Sequence, residues 1–96
     1  MQSNYPESTV YIIEVDECLS GSYHMYTFDE DDVDDLFQDA LDEATPNEDM
    51  ITLYKATIPD LDYLAENYSE EYALEYINYN MEDILEASEI MKQVAS

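Results

Sequence analysis

Arginine is absent, and Lys55 and Lys92 are the only lysines, against 25 Asp and Glu, so the 96-residue chain carries a formal net charge of -23. A chain so poor in cations is not expected to hold nucleic acid or an anionic membrane directly, because both are recognised through Lys and Arg. Cysteine occurs once, at Cys18. That excludes an intrachain disulfide and fits a reducing cytoplasm, with dimerisation through Cys18 as a minor alternative. Gly21 is the sole glycine, so no glycine-rich loop exists to cradle a nucleotide phosphate. No apolar run approaches the ~18 residues of a membrane span. Met1 to Val10 has neither a basic start nor a long apolar run, and it does not read as a signal peptide. With one His and one Cys, a zinc site or a Cys–His nucleophile pair is not expected.

What is present is a folding composition. Hydrophobic residues make up 46 %, with ten Tyr and two Phe, whereas disordered acidic tails lack aromatic and branched aliphatic residues. The length suits one domain, 1–96, with a moderate core. Two lysines leave at least twenty-three carboxylates without a side-chain partner in the chain. Their mutual repulsion works against the compact state, so salt is expected to stabilise it.

The order of patterns predicts an α+β domain of β-β-α-β-α type. Residues 1–7 read as a flexible leader. Thr9 to Val15 (TVYIIEV) and Tyr23 to Phe28 (YHMYTF) read as strands, rich in β-branched and aromatic residues, with a turn between them at Asp16 to Ser22. From Asp29 to Ala44 the period changes. Val33, Leu36, Phe37, Ala40, Leu41 and Ala44 fall at helical spacing. Thr27 with Glu30 fits a capping box, and the acids of the first turn suit the positive end of the helix dipole. Met50 to Thr57 (MITLYKAT) reads as a third strand closed by Pro59, and 60–95 reads as helical, bent near 69 and 79. A right-handed crossover places strand one between the other two. The expected sheet is antiparallel in order 2-1-3, with the helices on one face.

The sharpest constellation is Asp29 to Glu43. Asp31, Asp35, Asp39 and Asp42 lie opposite the Leu36/Phe37/Leu41 stripe, flanked by Asp32, Asp34 and Glu43. At about 1.5 Å per residue the segment spans roughly 22 Å, which is one acid per about 2.5 Å. Duplex DNA carries one negative charge per about 1.7 Å. A face that merely solvates a helix is the usual meaning of a charge run, but such faces contain i,i+4 Lys or Arg partners and this one has none. A calcium loop starting at Asp29 fails where Val33 and Asp34 replace an acid and the required Gly. The Tyr-rich stretch, in which Tyr63, Tyr68, Tyr72, Tyr76 and Tyr79 recur at helical spacings alongside Glu66, Glu70, Glu71 and Glu75, is a second candidate. Glu71, Tyr72, Glu75 and Tyr76 combine carboxylates with rings that receive cations and anchor interfaces. The plainer meaning of these tyrosines is that Tyr68 and Tyr72 are core and the others half-exposed. His24 is expected to make a local hydrogen bond in its strand. Asp60/Asp62 and Glu82/Asp83 are acid pairs that catalysis could use, but nothing marks out a pocket around them. No catalysis, metal or cofactor is expected.

In charge, size and Tyr content the chain resembles the small acidic proteins that phages and mobile elements encode as DNA mimics, among them anti-restriction and anti-CRISPR proteins. The resemblance carries no motif and no residue roles. It implies a stoichiometric inhibitor, monomer or homodimer, that acts in the host-cell cytoplasm. Such an inhibitor occupies the nucleic-acid groove of a positively charged nucleic-acid-binding protein. Two alternatives belong to other classes: an acidic chaperone of a basic nucleic-acid-binding protein, and an ordinary halophilic domain whose charge serves solvation.

Overall fold

The computed structural model describes residues 6–17, 21–43 and 49–95. Its elements run β1 (Glu7–Glu17), β2 (Gly21–Thr27), α1 (Glu30–Glu43), β3 (Asp49–Pro59), α2 (Leu61–Asn67), α3 (Glu70–Tyr79), α4 (Met81–Ala87) and β4 (Glu89–Ala95). The fold is mixed α+β. Its four strands form one antiparallel sheet in order β2-β1-β3-β4. The order 2-1-3 read from the sequence is present inside it, and several expectations need correction.

First, the sheet has a fourth strand where helix was expected. The helical run ends at Ala87, and Glu89–Ala95 pairs with β3, as in Ile51↔Val94 and Leu53↔Lys92. Ile90, Met91 and Val94 are compatible with either period, so local pattern alone does not decide. The open edge of β3 decides, because its unpaired N–H and C=O groups gain a row of ladder hydrogen bonds when 89–95 runs alongside as a strand.

Second, the helices cover both faces. Tyr11, Ile13 and Val15 of β1 pack with Ile51 and Leu53 of β3 against Val33, Phe37 and Ala40 of α1. Val10 and Ile12 pack with Ala56 and Ile58 against Ile77 of α3 and Ile84 of α4. β1 is therefore apolar on both sides. Its run Val10–Ile13 does not alternate, which is the mark of a strand covered on both faces. The two cores are staggered, one toward the Val15/Ile51 end and the other toward the Val10/Ile58 end.

Third, the chain before residue 9 takes part in the fold. Glu7 pairs with Pro59, and the Pro6 carbonyl accepts from the Asp60 amide at 2.9 Å. Residues 1–5 of the expected leader lie outside the described residues. Likewise Asp16, Glu17, Gly21 and Ser22 extend the strands into the expected turn, and 18–20 lie outside the description. Gly21 opens β2 at φ 94°, a left-handed conformation in which a side chain would be strained.

Helix α1 also starts differently from the capping box. Asp29 is the residue before the helix, and its carboxylate accepts from the Asp31 amide at 2.9 Å. Thr27 Oγ1 instead accepts from the Asp29 amide at 3.1 Å. The later breaks fall where capping residues stand. Asp60 accepts from the amides of Asp62 and Tyr63 at the start of α2, and Ser69 accepts from Tyr72 at the start of α3. Asn80 separates α3 from α4.

Candidate functional site

Helix α1 carries its charge outward because its apolar stripe is used. Val33, Phe37 and Ala40 are buried, while Asp31, Asp32, Asp34, Asp35, Asp39, Asp42 and Glu43 are all exposed. The helix is continuous from Glu30 to Glu43, so the chain there is no calcium loop. Among the described residues none of these seven carboxylates meets a lysine. The polar contact within the array is Gln38 donating to Asp42 at 3.0 Å. Lys92, one of the two cations, lies over the Phe37 ring at 4.8 Å and so packs beneath the helix.

Glu71, Tyr72, Glu75 and Tyr76 sit on α3, across the sheet from α1. The candidate residues therefore form two surfaces, not one. On α3, Glu71, Tyr72 and Glu75 line one recess with Ser69 and Tyr79. Tyr72 also lines a second recess with Tyr76, Tyr63, Tyr68, Leu64 and Pro59. Tyr68 and Tyr72 are not core, as their periodicity suggested. They are 68 % and 41 % exposed, because α2 ends at Asn67 and α3 starts after Ser69, which leaves Tyr68 on the turn between them. Their rings pack on each other at 5.3 Å, and Tyr72 meets Tyr76 at 5.9 Å. Tyr63 and Tyr68 belong to the same Tyr-rich stretch at helical spacing, and the recess adds them to the candidate pair Tyr72 and Tyr76.

His24 makes its local bond as expected, Nε2 to Glu14 Oε2 at 3.0 Å across the β1–β2 pair. Tyr54 reaches the other Glu14 oxygen at 3.5 Å. Partial burial, then the Glu14 charge and hydrogen bond, raise the Tyr54 phenol above its ordinary value. Burial, followed by the charges of Glu17, Glu43 and Asp49, does the same to Tyr23. Of the acid pairs, Asp60 is occupied as the α2 cap and by Ser8. Glu82 and Asp83 line an open recess with His24, Asn78, Tyr79 and Met81. Among the described residues no three His, Cys, Asp or Glu side chains converge to hold a metal ion. No described helix is long and apolar enough to cross a membrane.

No family model, curated protein or solved structure matches the chain.

Proposed function

We propose that the chain is a DNA mimic. It inhibits a host enzyme of bacterial defence, a CRISPR effector or a restriction enzyme, by occupying the positively charged groove that binds nucleic acid. The observation that carries this reading is the α1 face of seven exposed carboxylates with no cation among them. The whole molecule has a matching charge density. A net charge of -23 along a 44 Å long axis is one charge per about 2 Å, near the ~1.7 Å of duplex DNA. All but one of the acids, Glu48, belong to the described residues. Such an array steers a Lys/Arg-lined groove toward it and competes with nucleic acid for the same cations. The exposed Tyr68, Leu74 and Tyr79 on and beside α3, at 68 %, 72 % and 79 %, favour a protein partner over a surface serving solvation alone, since large side chains of this kind anchor interfaces.

The test begins with capture of partners from a bacterial lysate washed at graded salt, followed by competition with DNA for the captured enzyme. Replacing Asp31, Asp35, Asp39 and Asp42 together by Asn is expected to keep the fold and slow association. Each exposed pair contributes only about 0–1 kcal/mol, so single changes are expected to be nearly silent. A quadruple variant that inhibits as well as the parent moves the interface off α1. A gel shift of DNA by the chain on its own overturns mimicry.

A further inference from the structure

We propose that the recess between α2 and α3 is a receptor for a guanidinium group, the side chain of an arginine on a partner. Four tyrosines, Tyr63, Tyr68, Tyr72 and Tyr76, line it with Pro59 and Leu64, enclosing about 170 Å³. Consecutive rings are turned against each other, Tyr68 and Tyr72 by 52° and Tyr72 and Tyr76 by 79°. The rings touch in tilted and edge-to-face contacts and are not stacked flat, and all four contribute to the lining of the recess. Aromatic walls attract cations through the negative ring face.

The surroundings select the sign and the kind of ligand. The chain's net charge of -23 favours any cation near it. Tyr72 is shared with the neighbouring recess, which Glu71 and Glu75 line, so carboxylate acceptors stand on the far side of one wall. The recess is open on one side and its lining mixes ring carbon with polar atoms, so a ligand entering it exchanges part of its water for ring faces. Guanidinium is more weakly hydrated than an ammonium, is planar, and stacks on aromatic faces. Its fork can then extend past Tyr72 toward the carboxylates. The chain supplies no guanidinium itself, since it has no Arg; Lys92 lies over Phe37 on the opposite face of the sheet, and Lys55 is in register with Tyr11, which packs on that same opposite face.

This inference uses a different face of the sheet from α1 and does not depend on enzyme inhibition. The whole chain is titrated with N-acetylarginine amide at constant ionic strength, and the tyrosine ring signals are followed by NMR. The lysine analogue and the neutral citrulline analogue serve as comparisons. Saturable shifts confined to the four rings are expected, tighter for arginine than for lysine and lacking for citrulline. Tyr72→Leu and the more exposed Tyr68→Leu are each expected to weaken binding about 3- to 10-fold, while Tyr72→Phe, which keeps the ring face, retains it. The α1 quadruple Asn variant is expected to bind arginine within about twofold of the parent, because single exposed charges act weakly at a distance through salt. Citrulline binding as well as arginine overturns the proposal, as do shifts that never saturate, which signify a counterion atmosphere. Unchanged affinity in both Leu variants overturns it too. Inhibition without this binding removes the receptor alone, and this binding without inhibition removes the mimic alone.

Discussion

Asp60 ties the start of β1 to the start of α2. Its Oδ2 accepts from the Ser8 hydroxyl at 2.8 Å, and its Oδ1 accepts from the Asp62 amide at 2.9 Å. The Ser8 bond, with smaller help from the amides of Tyr63 and Asp62, holds the carboxyl below its ordinary value of 3.8 against the opposing effect of partial burial. A carboxyl lowered in the folded state contributes stability above its unfolded value, and that contribution is lost as the pH falls through the folded one. Ser8→Ala is therefore expected to raise the Asp60 midpoint toward 3.8 and to shrink the stability that this residue loses in acid. Carboxyl-carbon NMR of Asp60 reads the first effect directly, and an unmoved midpoint would show that the helix amides alone lower it. Asp60 was legible in the sequence only as one of a pair of acids. Its partner Ser8 lies fifty-two positions away, and no local pattern announces such a bond.

Helix α1 is the element that sequence period describes best. It packs on one face only, so its buried and exposed positions separate cleanly: Phe37 is 4 % exposed, and the neighbouring Asp39 faces solvent. Phe37→Ala is expected to destabilise the domain by about 3–5 kcal/mol and to leave Lys92 without its ring. Asp39→Asn is expected to stay within about 0.5 kcal/mol. Urea denaturation compares the two, and equal midpoints would contradict the burial of the stripe. β4 is the opposite case. Val94 packs on the α1 core, and Gln93 donates to Thr52 Oγ1 at 3.0 Å, so the strand contributes where a helix could not reach. A chain ending at Ser88 is expected to lose about 1–2 kcal/mol from Val94 and the Gln93 bond alone, together with amide protection along β3. Undiminished protection of Ile51 and Leu53 would mean that 89–95 does not pair there. The two-sided burial of β1 went against the expectation of helices on one face, although its unbroken apolar run Val10–Ile13 carried a signal for it. The strand at 89–95 was not legible, because its residues suit either period.

Across the whole molecule, 25 acids stand against two lysines. One lysine is on an aromatic ring, and His24 meets Glu14 through a 3.0 Å contact that needs no full charge on the imidazole. Folding therefore gathers charge that remains uncompensated. Raising NaCl from about 20 mM to about 500 mM shortens the screening length severalfold, and the thermal midpoint is expected to rise. A flat or falling midpoint would mean that charges compensate each other in the fold more than these contacts show. Of the candidate surface, the α1 acids were legible because exposure follows from the stripe opposite them. The aromatic recess was not, because it depends on the angle at which α2 meets α3 at Ser69.

The sequence by itself determined the charge, the mixed α+β composition, the central place of β1, the acid face of α1 and the breaks at Ser69 and Asn80. These follow from residue type and local spacing, which act within one element. The tertiary structure decided the fourth strand, the helices on both faces, the separation of the two candidate surfaces and the recess of four tyrosines. Each depends on what one element meets when another packs against it: a free strand edge, an uncovered sheet face, or a ring brought beside a ring by a change of helix direction.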